Sequence, residues 1–214
     1  VKKGFFITFE GCDGSGKSTT LEDIVSTLTN EGYDIVKTRE PGGSAIAQQI
    51  RNILLDENNQ GICSSAEALL FAASRAQHYE EVIKPALLEG KIVICDRFID
   101  SSLAYQGHAR GLGLENIKVI NAFAIEQTMP DLTVFFNLQP QKGLERIAKS
   151  NEREVNRLDL EGLNFHNKVY EGYLNLLDTY PDRMVSINAD QTKEAVYTDV
   201  LSLIKERLNE QYNG

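Results

Sequence analysis

The sequence predicts an α/β fold in which a five-stranded parallel sheet is flanked by helices on both faces. Two observations predict it. Five short apolar, β-branched or aromatic runs, at 5 to 9, 34 to 38, 92 to 95, 132 to 138 and 184 to 187, read as strands. Helical patterns separate them at about 17 to 30, 44 to 57, 64 to 89, 101 to 126, 140 to 149, 160 to 180 and 192 to 211. Such alternation requires right-handed crossovers, which cover both faces of a parallel sheet. The second observation is the stretch FFITFEGCDGSGKSTT at 5 to 20, where the first apolar run breaks into a glycine-rich loop and then into a helical pattern.

Taken in order, the first element is a strand entering that loop. Gly11, Gly16, Lys17 and Ser18 fit G-x-x-x-x-G-K-[ST], with the strand before and the helix after that the motif requires. Glycines let successive N–H groups point inward, the helix offers its positive end, Lys17 reaches the outer phosphates of a polyphosphate, and Ser18 can hold Mg²⁺. The alternative is a solvated Gly/Ser loop. The second strand ends in TREPGG, where Pro41, Gly42 and Gly43 force a turn, and the third in KIVICDR. Ligands of such sheets sit beyond the carboxyl ends of the strands, and Glu10, Arg39, Glu40, Asp96 and Arg97 all fall there. Asp96 is placed to support Mg²⁺, or to cap the next helix, or both. Arg39 and Arg97 are surface salt-bridge partners or, together at strand ends beside a phosphate loop, an anion site. Residues 150 to 158, SNEREVNRL, read as a charged solvated loop or as a lid that shuts out water, with Arg153 and Arg157 as its cations. The last residues, NEQYNG, read as frayed.

Composition narrows the function classes. At 214 residues the chain suits one α/β domain, 1 to 214, better than two, and no repeat or linker divides it. Hydrophobic content of 42% with 25% charged residues is ordinary for a soluble domain, and no apolar run approaches a membrane span. A net charge of −9 argues against extended nucleic-acid binding, while local arginines can still focus a field on a small anion. Cys12, Cys63 and Cys95 show no paired spacing, so neither a disulfide frame nor a zinc site is expected. With no export signal in VKKGFFITFEG, a reducing cytoplasm fits best. His78, His108 and His166 share no metal-ligand spacing and receive no chemistry.

The phosphate loop alone says nucleotide and not which reaction. Acceptor-side arginines suit a second phosphate. A phosphate monoester, with a second pKa of about 6, is already a nucleophilic dianion at neutral pH, so alignment and charge neutralisation are needed and a general base is not.

GCDGSGKST, TREPGG, LLFAASRAQH, CDRFIDSSLAYQG and NRLD, in that order, resemble the bacterial thymidylate kinases over about residues 4 to 190. The resemblance implies a P-loop kinase three-layer sandwich of five strands, transfer of the γ-phosphoryl group of Mg·ATP to dTMP to give dTDP, and a homodimer. It places ATP on Gly11, Cys12, Asp13, Gly14, Ser15, Gly16, Lys17 and Ser18, and the metal on Ser18 and Asp96. For dTMP it implies Phe71 under the thymine, Arg75 and Gln106 on the base edge with Ser102 beside them, and Tyr105 near the sugar 2′ position. Arg39, Arg51 and Arg97 receive the acceptor phosphate, with Asp13 and Glu40 close to sugar, phosphate and metal. From the residues alone Phe71 reads equally as core, although Arg75 four residues on shares its helical face. Family members carry the catalytic arginine either in the phosphate loop or in the lid. The loop position here is Gly14, so the resemblance assigns a catalytic set of Lys17, Asp96, Arg97 and, from the lid, Arg153, with Arg157 as anchor. One departure concerns Arg51: Ala47, Gln48 and Gln49 stand where the family has a Gly-Glu pair, removing a carboxylate that could orient it. The competing classes are a kinase of another nucleotide or nucleoside and a nucleotide-dependent switch. The chain has no N-K-x-D guanine signature, which argues against the switch.

Overall fold

The computed structural model describes residues 4–149 and 156–213. All five expected strands form: β1 (Phe5–Glu10), β2 (Ile35–Arg39), β3 (Ile92–Asp96), β4 (Leu132–Asn137) and β5 (Met184–Asn188). They pair in parallel in the order β2-β3-β1-β4-β5. Successive side chains point to opposite faces, which splits the core in two. Phe5, Ile7 and Phe9 of β1 pack with Leu21 and Ile24 of α1 (Lys17–Asn30) and Val200 and Ile204 of α9 (Lys193–Asn213). Phe6, Val93, Cys95 and Phe135 face the other way, toward Phe98, Leu103, Val169 and Tyr173.

On that second face lie α2 (Ala45–Leu55) and α3 (Ser64–His78), the latter running through a π-type turn at Tyr79–Ile83 into α4 (Lys84–Leu88). α5 (Ile99–Ser102) passes into a π-helical segment, Leu103–Ala109, before α6 (Leu114–Ala124). The single helix expected over 101 to 126 is therefore two. Gly111 and Gly113 have φ of 73° and 86°, a left-handed conformation that glycine enters freely and that ends one helix before the next starts. α7 (Pro140–Lys149), α8 (Leu163–Thr179) and α9 follow the expected order.

Register decides where the site is. Asp96 lies abreast of Phe9 on one side and Arg39 on the other, so the carboxyl ends of the three strands finish level. The loop after β1, the TREPGG turn after β2 and the segment after β3 thus open on one cleft.

Candidate active site

That cleft has a volume of about 1190 Å³, above the roughly 300–1,000 Å³ of a small-molecule pocket and spacious enough for two nucleotides. Of the residues expected at the site, Asp13, Gly14, Ser15, Gly16, Lys17, Ser18, Arg39, Glu40, Arg51, Phe71, Arg75, Asp96, Arg97, Ser102, Tyr105 and Gln106 line it. Gly11 and Cys12 belong to the loop without lining the cleft. Arg153 lies outside the described residues.

Gly11, Gly14 and Gly16 have φ of 141°, 75° and 90°, which curls the loop around its own interior. Inside it, Lys17 Nζ donates to the carbonyls of Gly11 and Cys12, both at 3.0 Å. Burial, and after it the charge of Arg97, lowers the Lys17 pKa from its ordinary value. Burial pushes the Cys12 thiol up to about 11, which keeps it an unreactive thiol. Gly14 also answers a packing demand, because a Cβ there would stand 2.2 Å from the carbonyl oxygen of Gly143 in α7. No side chain, an arginine included, fits at that loop position.

Ser18 Oγ donates to Asp96 Oδ2 at 2.7 Å, while Asp96 Oδ1 is shielded from solvent and has no hydrogen-bond partner. A hydroxyl, a carboxylate oxygen and an unsatisfied oxygen beside a phosphate loop suit a hard cation that takes its remaining ligands from phosphate and water. Asp96 does not cap α5; Glu10 does, accepting from the backbone N–H of Phe98 at 2.8 Å and of Ser101 at 3.2 Å.

Arg97 projects from a backbone with φ of 70°. Its guanidinium donates to Asp13 Oδ1 at 3.0 Å and to Ser101 Oγ and the Tyr173 hydroxyl, each at 3.2 Å, and lies 5.4 Å from the centre of the Tyr105 ring. Tyr105 in turn donates to Asp13 Oδ2 at 3.2 Å. Arg39 is exposed to the cleft with no side-chain partner among the described residues. Arg51 donates to the Pro41 carbonyl at 2.8 Å, so the TREPGG turn orients it where the expected carboxylate is missing.

The far wall is built on α3. Phe71 serves both readings, being 9% exposed, packed in the core and yet lining the cleft. Arg75, 2% exposed, donates from Nε to Glu40, from one terminal nitrogen to Ser102 Oγ and Asn121 Oδ1, and from the other to the Phe98 carbonyl. Four of its five N–H groups are thus committed and one is left. Glu40 has both carboxylate oxygens engaged, by Arg75 Nε at 2.7 Å and His78 Nδ1 at 3.0 Å. Glu40 thus braces Arg75 from its place in the cleft wall. His78, to which no chemistry was assigned, is its second support, and a Cβ on Gly43 would meet that ring at 2.4 Å. Sequence reasoning also missed Glu67, which gathers Gln106, Arg110 and Arg157. The expected role of Arg157 as anchor agrees with its pairing to Glu67 at 2.6 Å and to the Leu54 carbonyl at 2.8 Å.

A parallel sheet of this order, with a lysine-bearing glycine loop at its central strand and arginines across the cleft, defines a P-loop nucleotide kinase. The family model for thymidylate kinase matches residues 9–200. The chain is 53% identical to the thymidylate kinase of Bacillus velezensis over 96% of its own length and 97% of the relative's. It is 52% identical to that of Clostridium novyi over 96% and 100%. The crystal structure of thymidylate kinase from Ehrlichia chaffeensis superposes with a TM-score of 0.77 at 32% identity, covering 94% of this chain and 99% of that one. The chain belongs to the thymidylate kinase family.

Proposed function

We propose that the cleft passes the γ-phosphoryl group of ATP to dTMP in line, with no side chain acting as general base. The overall reaction, dTMP and ATP to dTDP and ADP, is that of the family to which the chain belongs, and makes it a phosphotransferase of nucleotide biosynthesis. The observation that carries the residue assignment is the convergence of Lys17, Arg39, Arg51 and Arg97 on one cleft with Phe71, Arg75 and Gln106. ATP lies on the loop from Gly11 to Ser18, with Lys17 at its outer phosphates. Arg39, Arg51 and Arg97 take the acceptor phosphate, whose dianion needs only alignment and neutralisation. Ser18 and Asp96 would hold Mg²⁺, which when bound neutralises charge on the donor phosphates. Phe71 offers the thymine a flat face, Arg75 and Gln106 meet its edge beside Ser102, Asp13 and Tyr105 adjoin the sugar, and Arg153 brings a further cation from a lid at about 149 to 158. Gly14 supports that last assignment, since the loop cannot carry the arginine itself.

Residues 1 to 214 act in this reading as one kinase domain of the cytoplasm; no helix among the described residues is long and apolar enough to cross a membrane. The domain works as a homodimer. Supporting this, Val119 and Phe123 on α6 are 69% and 91% exposed, and Leu69 on the neighbouring α3 is 57% exposed.

The test is turnover of dTMP, dUMP, UMP, CMP and thymidine, with Lys17→Ala and Arg97→Ala alongside. A marked preference for dTMP and a loss of at least 100-fold in kcat/KM for both variants are expected. Indifference to the base, or near-normal turnover by either variant, would overturn the proposal.

A further inference from the structure

Glu67 stands in the first turn of α3, four residues before Phe71 and eight before Arg75, so the three share one helical face. Its side chain is 1% exposed. Oε1 accepts from Gln106 Nε2 at 2.9 Å and from Arg110 Nε at 3.2 Å. Oε2 accepts from terminal nitrogens of Arg110 at 3.2 Å and Arg157 at 2.6 Å. Burial raises the Glu67 pKa, but the hydrogen bonds from Gln106, Arg110 and Arg157 outweigh it and hold the carboxyl below its ordinary value.

An anionic carboxylate only accepts hydrogen bonds, so the amide of Gln106 must turn its NH₂ end toward Glu67. The amide oxygen has no partner among the described residues, and Gln106 lines the cleft. Thymine offers an N3–H donor between two carbonyls, whereas cytosine offers an N3 acceptor beside an amino donor. An oxygen held opposite N3 accepts the N–H of thymine but meets the lone pair of cytosine, so it matches the first edge and repels the second.

We infer that Glu67 is a positioning residue that locks the amide of Gln106 oxygen-inward and so makes the site select thymine over cytosine. This rests on the reading that Gln106 and Arg75 meet the base. In Glu67→Gln the single acceptor oxygen goes to the position facing both arginines, its NH₂ faces Gln106, and Gln106 turns over to present its own NH₂ to the cleft.

The measurement is the ratio of kcat/KM for dTMP to that for dCMP, which does not depend on the fraction of enzyme folded. Glu67→Gln lowers the ratio at least tenfold, and Glu67→Asp, which keeps the charge but draws it back by one methylene, lowers it less. Adding Glu67→Gln to Gln106→Ala changes the ratio no further. Wild-type ratios in both Glu67 variants, with Gln106→Ala lowered, overturn the role of Glu67 alone. A wild-type ratio in Gln106→Ala overturns the underlying reading of the base contact, and this inference with it.

Discussion

Arg97 holds a left-handed backbone conformation that costs a non-glycine residue about 1–2 kcal/mol. The residue that secures it is Glu10. Besides capping α5, Glu10 accepts from Ser101 Oγ at 2.6 Å and from the Tyr173 hydroxyl at 2.8 Å, the same two groups that receive Arg97. Burial first, and the nearby Asp100 second, push the Glu10 pKa up to about 7, against the pull of Arg97. The folded state therefore binds this proton more tightly than the unfolded chain does. Its contribution to stability is complete below pH 4.5 and is lost as pH rises through about 7. Urea unfolding from pH 4.5 to 8 should show the wild type losing about 2–3 kcal/mol relative to Glu10→Gln. Parallel profiles for the two proteins would show that Glu10 does not titrate in this range.

At the scale of elements, two packing contacts shape the cleft. α7 approaches the phosphate loop so closely that Gly14 and Gly143 meet backbone to backbone, with a Cβ on Gly143 only 2.3 Å from the Asp13 carbonyl oxygen. Gly14→Ala adds a left-handed alanine to a backbone clash. It should lower stability by about 2 kcal/mol and raise the KM for ATP more than that for dTMP; an unchanged melting temperature would contradict the packing argument. The second contact lets α8 lie against the π-helical segment, where a Cβ on Gly172 would be 3.1 Å from the Ala104 Cα. That segment and the end of α5 bring Ser102, Tyr105 and Gln106 to the cleft. π turns interrupt regular helices where a side chain has to be re-aimed.

For the whole molecule, the proposed homodimer bears on the exposed apolar side chains of α3 and α6, among them Phe123, the most exposed of the large apolar side chains among the described residues. The two helices are joined at their inner side by the hydrogen bond from Arg75 to Asn121, so an interface on their outer side would stiffen the cleft wall that carries Phe71 and Arg75. A symmetric pair placing Phe123 against its partner's copy buries a side chain that is otherwise 91% exposed. If the proposed homodimer forms there, Phe123→Asp should shift the protein to monomer by light scattering, with circular dichroism unchanged. A dimer that survives the substitution at micromolar concentration would place the interface elsewhere.

The five strands, the phosphate loop and the arginines of the cleft were legible in the sequence because each is written in a local pattern: a short apolar run, glycines at fixed offsets, arginines after a strand. The register that sets Arg39, Asp96 and the end of β1 abreast follows from strand pairing, and the break at Gly111 and Gly113 was hidden by apolar periodicity on either side. Local pattern said nothing of Glu67, which meets Gln106 across 39 residues and Arg157 across 90, nor of the commitment of Glu40 to Arg75 and His78. A buried charge takes whichever partners the fold delivers to it, and only three-dimensional packing determines which those are. Sequence by itself determined which groups could bind phosphate; tertiary structure decided which partners hold the buried polar groups of the cleft wall, because those partners come from distant stretches of chain.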